Sequence, residues 1–181
     1  MNVLISGGSK NGKSAFAQNV AAALSPDGNR CYVATMIPYD GEDRARVARH
    51  VADRAGMGFR TLEIPRDIAA CLMAGGRDAT FLIDSVTALL LNEMYPVSHG
   101  GEADGDAAAR CRAGLTRVAA EAKNAVFVTD YIYSDAIRYD AFTENYRADL
   151  ASIDRALAAV CGVVLELCAG NVIVHKGVWP L

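Results

Sequence analysis

The apolar positions of this chain fall in short runs separated by amphipathic stretches. Asn2–Ser6 is apolar through Val3, Leu4 and Ile5 and stops at Gly7 and Gly8, the pattern of a buried strand feeding a tight turn. Lys13–Leu24 sets Ala15, Phe16, Val20 and Leu24 at helical spacing, and Pro26 and Gly28 end it. Arg30–Thr35 reads as a second strand, Asp43–Ala55 as a polar, arginine-rich helix, and Arg60–Ile64 as a third strand bounded by Pro65. Arg66–Ala74 predicts a helix stopped by Gly75 and Gly76, Thr80–Asp84 a strand ending in a carboxylate, and Val86–Met94 a helix. Pro96–Asp106, rich in Gly, Asp and Ser, predicts a mobile loop. Ala107–Lys123 is a helix and Ala125–Thr129 another buried strand. Asp130–Phe142 carries the aromatic residues Tyr131, Tyr133, Tyr139 and Phe142, which suit packing or stacking on a planar ring. Thr143–Ala159 predicts a helix capped by Thr143, and Val163–Cys168 and Asn171–His175 predict two closing strands around Gly170.

Apolar strands alternating with helices predict an α/β fold, with a mostly parallel sheet covered by helices on both faces. The 181 residues suit one domain over 1–181, with no internal repeat or linker to divide it. A hydrophobic share of 52% against 22% charged excludes a disordered chain. The formal charge of -3 argues against a nucleic-acid protein, which would show a basic patch. The cysteines (Cys31, Cys71, Cys111, Cys161 and Cys168) are odd in number and form no C-x-x-C pair, so they read as buried thiols in a reducing compartment. No apolar run approaches a membrane span, and a cytoplasmic protein is expected.

The most specific chemistry lies at Gly7–Ser14, which reads G-G-S-K-N-G-K-S. This is a P-loop of an NTPase, with a strand before it and a helix after it. Glycines let the backbone wrap phosphates closely, and the amides from Gly8 through Ser9, Lys10, Asn11 and Gly12 to Ser14 face the anion with the helix N-terminus behind them. Lys13 reaches the β- and γ-phosphates as a point charge, and Ser14 offers its hydroxyl to Mg²⁺. Asp84, at a strand end, reads either as a second carboxylate beside Mg²⁺ or as the cap of the helix that follows. On the arginine-rich helix, Arg46, His50 and Arg54 are four apart and share a face. Cations there attract phosphate and a neutral imidazole is a nucleophile, while a solvated basic face with a surface histidine has the same spacing.

Four stretches together resemble the bifunctional adenosylcobinamide kinase / adenosylcobinamide-phosphate guanylyltransferase family of cobalamin biosynthesis. They are V-L-I-S-G-G-S-K-N-G-K-S near the N-terminus; Y-V-A-T at Tyr32–Thr35 with R-V-A-R-H and Arg54 beyond it; F-R-T-L-E-I-P at Phe59–Pro65; and L-I-D-S-V-T-A-L-L-L-N at Leu82–Asn92. The resemblance implies a RecA-like fold and a homo-oligomer, a trimer. It implies two reactions: phosphorylation of a corrinoid hydroxyl by ATP or GTP, then transfer of GMP from GTP through a histidine to the corrinoid phosphate. By resemblance the guanylylated histidine falls on His50, and Ala34, Thr35, Arg54, Glu63 and Asp84 fall on the nucleotide site.

The C-terminal half departs from the family pattern. Where the family reads Asn-Glu-Val-Gly after its fifth strand, this chain has Asp130-Tyr131-Ile132-Tyr133. Where it has Phe-Arg-Asp, then Gly, then Asn-Gln, the chain has Tyr146-Arg147-Ala148, then Ala151, then Asp154-Arg155. The P-loop by itself also allows a kinase of another small hydroxyl acceptor or a GTP-binding regulator without transfer chemistry. The chain has no N-K-x-D guanine motif of the switch GTPases, and Pro96–Asp106 contains no arginine of the kind found in adenylate-kinase lids.

Overall fold

The computed structural model describes residues 1–96, 103–133 and 135–179, with the side chain of Arg46 outside that description. The strands are β1 (Asn2–Gly7), β2 (Arg30–Ala34), β3 (Phe59–Glu63), β4 (Thr80–Asp84), β5 (Asn124–Val128), β6 (Val163–Cys168) and β7 (Asn171–Lys176). They form one sheet in the order β3-β2-β4-β5-β1-β6-β7. All pairings are parallel except that of β6 with β7. The helices are α1 (Lys13–Leu24), α2 (Gly41–Asp53), α3 (Cys71–Gly75), α4 (Val86–Met94), α5 (Ala107–Glu121) and α6 (Ala141–Val160).

The central strands β1, β4 and β5 are buried along most of their length because helices cover both faces. The two-residue alternation then divides them. Val3, Ile5, Leu82, Val126 and Leu165 pack with Ala17, Val20 and Ala21 of α1 on one face. Leu4, Phe81, Ile83 and Phe127 point the other way, against Leu89 of α4, Leu115 of α5 and Leu150, Ile153 and Leu157 of α6. Four of the cysteines are buried, Cys168 is exposed, and all five are free thiols. Among the described residues no helix is long and apolar enough to cross a membrane.

Several element boundaries differ from the sequence expectation, each for a local reason. The cap of α6 is Asp140, whose carboxylate accepts from the Thr143 amide at 2.9 Å and the Thr143 hydroxyl at 3.0 Å, so Thr143 lies inside the helix. Asp40 likewise starts α2 two residues ahead of Asp43, whose amide it accepts at 2.8 Å. The single helix expected over Arg66–Ala74 is a 3₁₀ turn, Ile68–Ala70, leading into the short α3. Asp67 sits at φ 47, and the Arg66 guanidinium donates to the Asn92 carbonyl at 2.8 Å, which draws the chain out of a regular first turn. Of the loop expected at Pro96–Asp106, residues 97–102 lie outside the described residues.

Candidate active site at the C-terminal edge of the sheet

The parallel strands deliver their C-terminal ends to one edge, where ligands of open α/β sheets bind. Register places Ala34 beside Asp84 and Asp84 beside Val128. The turn after β1 requires glycine: Gly7 has φ 152, and a Cβ there would stand 2.5 Å from the Leu167 carbonyl oxygen. Gly12 precedes α1 at φ 88 and has no side chain to cap the helix, whose first amide, that of Lys13, donates to Asn11 Oδ1 at 3.3 Å. Asn11 ties the loop to the sheet by donating its amide to the Leu167 carbonyl.

Lys13 is 6% exposed, and its ammonium donates to the Gly8 carbonyl at 2.6 Å. It also pairs with Asp130 Oδ1 at 2.8 Å. Asp130 is held in turn by its backbone amide, which donates to Thr87 Oγ1 at 2.9 Å. Around this lysine lies a cavity of about 410 Å³, lined by Lys10, Asn11, Gly12, Lys13 and Ser14 of the loop, by Arg49, His50 and Asp53 of α2, and by Asp84 and Asp130.

A second cavity of about 400 Å³ adjoins it and shares Asp43, His50, Asp84, Ser85 and Asp130. Its other walls are more apolar: Tyr32, Ala34, Met36, Ile37, Pro38 and Tyr39, with Arg54, Glu63 and Leu91. Arg54 is buried, with its guanidinium 4.1 Å from the Tyr32 ring centroid and a donated bond of 3.0 Å to Thr61 Oγ1. Tyr32 donates to Asp84 Oδ2 at 2.9 Å. The cap of α4 is Ser85, which accepts from the Ala88 amide at 3.2 Å, so Asp84 is left to face the cavities.

The structure thus brings Lys10 to Ser14, His50 and Asp84 to the wall of one cavity, and Ala34, Arg54 and Glu63 to the wall of its neighbour. Gly7 is buried beneath the loop, while Gly8 and Ser9 are exposed on it. Thr35 lines neither cavity. It is fully buried, exchanges hydrogen bonds with the Ser85 backbone at 2.8 and 2.7 Å, and accepts from the Asn92 amide at 2.7 Å through its carbonyl. Ser14 and Asp84 share a cavity wall in positions that suit a hard cation beside phosphates. Among the described residues there is no cluster of three or more His, Cys, Asp or Glu that would hold a metal ion alone.

Two participants escape a linear reading. Asp130 follows β5 as Asp84 ends β4, and that parallel was the available signal. Asn92, 4% exposed, joins the strand ends by donating to the carbonyls of Thr35 and Pro65, and nothing in its neighbourhood along the chain announces this.

Solved structures support the architecture. The flagellar accessory protein FlaH from Methanocaldococcus jannaschii superposes with a TM-score of 0.53 over 97% of this chain and 78% of that one, at 12% identity. The ATPase domain of a second protein does so with a TM-score of 0.54 over 97% and 76%, at 10% identity. At such identities the likeness concerns the fold alone, a RecA-like α/β arrangement. No curated protein sequence matches the chain significantly. The family model described as cobinamide kinase / cobinamide phosphate guanyltransferase matches residues 3–174, spanning the P-loop, α2 with His50 and the closing strands, and the chain belongs to that family.

Proposed function

We propose that this family enzyme, a kinase and guanylyltransferase of cobalamin biosynthesis, carries its guanylyl group on His50. The observation behind this is that His50 lines both cavities, with the phosphate cradle on one side and the more apolar recess on the other. In the transfer, an imidazole nitrogen of His50 attacks the α-phosphorus of GTP. An N–P bond forms, the bond to the bridging oxygen breaks, and pyrophosphate leaves with the electron pair. A phosphate oxygen of the cobinamide phosphate then displaces His50 and gives the GDP-linked corrinoid.

In the kinase step, Lys13 and the loop amides neutralise the charge that moves onto the β–γ bridging oxygen as the corrinoid hydroxyl takes the γ-phosphoryl group of ATP or GTP. Ser14 and Asp84 are the residues that would hold Mg²⁺, which when bound offsets phosphate charge. Arg54 and Glu63 line the neighbouring recess and offer a cation and an acceptor to a base or ribose. We also propose a homo-oligomer, in keeping with the family's trimer. Its support is β7, an exposed edge strand with Val172, Ile173 and Val174 each 39–46% accessible.

The test is covalent labelling. The protein is incubated with Mg²⁺ and GTP labelled at the α-phosphate, then denatured. Label that is lost in acid, kept in alkali and absent from His50→Ala supports the assignment. A His50→Ala variant that keeps the label removes it.

A further inference from the structure

A separate cavity of about 250 Å³ lies behind the P-loop, between α6 and the β6–β7 hairpin. Its walls include Tyr131, Tyr133, Asp154, Arg155, Glu166 and His175. The first four of these are positions where the chain leaves the family pattern: tyrosines stand in place of Glu and Gly, and Asp-Arg in place of Asn-Gln. Four departures that look scattered along the sequence therefore converge on one place in the fold. They also depend on one another, since the Tyr133 hydroxyl donates to Asp154 Oδ2 at 3.0 Å.

The charges in this cavity divide into a matched pair and an unmatched pair. His175 and Glu166 satisfy each other at 2.7 Å. Asp154 is 5% exposed, and its Oδ2 accepts from Thr129 and Tyr133 at 3.0 Å each. Its Oδ1, also buried, has no hydrogen-bond partner. A buried carboxylate oxygen without a donor is costly unless something supplies one. Arg155 is exposed and forms no ion pair or hydrogen bond among the described residues. A simple cation would leave Arg155 unmatched, and a simple anion would meet two carboxylates. A molecule carrying both charges matches both. The aromatic wall, with Tyr131 and Tyr133 edge to face at 4.9 Å, and the apolar Leu4, Ala158 and Val164 suit a short carbon body. The volume lies below the roughly 300 Å³ at which drug-sized pockets begin, which limits the occupant to about the size of an amino acid.

We propose that this cavity is a second small-molecule site that binds a small zwitterion of the amino-acid type, with its ammonium group on Asp154 and its carboxylate on Arg155. Burial raises the Asp154 carboxyl to about 7, so an arriving ammonium ion readily draws it into the ionised form. The site stands next to the cradle: the Tyr131 amide donates to the Gly7 carbonyl at 3.0 Å.

The experiment is a titration of tyrosine-labelled protein with each of the common amino acids, read by NMR at the rings of Tyr131 and Tyr133. At least one amino acid should shift both rings saturably. The amine and the carboxylic acid bearing the same side chain should each bind about tenfold more weakly, as should the variants Asp154→Asn and Arg155→Gln, a loss of about 1.4 kcal/mol. Both substitutions restore the residue typical of the family, and thermal melts establish that the variants are folded. Ring signals unmoved by every amino acid would overturn the proposal. So would an amine that binds as tightly as its parent amino acid, or variants that bind like the native chain.

Discussion

Replacing Asp130 by Asn should tighten binding of nucleoside triphosphates while weakening the empty protein. Lys13 cannot give itself fully to a phosphate while Asp130 Oδ1 holds it at 2.8 Å. At that distance and an effective dielectric constant of about 20 the attraction is about 6 kcal/mol. Most of it is returned when Asp130, whose side chain is 25% exposed, rehydrates on release. A net of about 1–2 kcal/mol remains to be overcome by the incoming triphosphate, so the Asn variant should bind about 5- to 30-fold more tightly. Without nucleotide the same substitution leaves a nearly buried ammonium with neutral acceptors alone, among them the Gly8 carbonyl and Asn11, and should lower stability by about 1–3 kcal/mol. Calorimetric titration with a non-hydrolysable triphosphate at low and high salt measures the first effect, and denaturant unfolding of the empty protein measures the second. Added salt should move the native affinity and the variant affinity toward each other. Weaker binding by the variant, confined to solutions containing Mg²⁺, would refute the reasoning, because Asp130 would then be serving the cation and not restraining the lysine.

Three further outcomes follow from the geometry. Gly7→Ala puts a Cβ against the Leu167 carbonyl at a positive φ, and should cost about 1–3 kcal/mol in unfolding and at least tenfold in triphosphate affinity, read by denaturation and calorimetry. Asp154, raised from 3.8 to about 7 chiefly by burial, keeps its proton in the folded chain over a range where the unfolded chain has lost it. Its contribution to stability is therefore complete below about pH 4 and is lost as pH rises toward and through about 7, by up to about 4 kcal/mol; Asp154→Asn should flatten that slope in unfolding curves taken between pH 5 and about 8. Ile173→Asp on the exposed edge strand should leave the circular dichroism spectrum unchanged and shift sedimentation toward the single chain, since each buried isoleucine contributes about 1.5–3 kcal/mol to an interface.

What could be read in the sequence was whatever is encoded by neighbours along the chain. The P-loop is contiguous, so its strand, turn and helix were all legible, as was the parallel sheet from the apolar runs of β1, β4 and β5. The starts of α2 and α6 were legible to within two residues, and their misplacements came from aspartates one turn earlier, Asp40 and Asp140, which compete as caps with residues that look equally suitable; the helix expected from Arg66 begins as α3 only at Cys71. His50 needed the family resemblance, because its spacing from Arg54 also describes an ordinary solvated face. Arg54 in fact turns inward onto Tyr32 and Thr61, a contact made only because β2 and β3 pair in register.

The role of Asp130 is not legible along the chain, and the reason is physical. Its meaning depends on Lys13, to which it is joined only by the adjacency of β5 and β1, since the two residues are far apart along the chain. Along the sequence Asp130 is the first of several departures from the family pattern. In the fold it divides the drifted segment in two. Asp130 faces the cradle and the lysine, while Tyr131 and Tyr133 line the cavity on the far side of the sheet edge, where they meet Asp154 and Arg155. The drift therefore reaches the nucleotide cavities through Asp130 and Tyr146. Tyr131, Tyr133, Asp154 and Arg155 gather in the cavity behind the P-loop, and replacing these four with the family residues should change what that cavity binds and leave labelling of His50 in place.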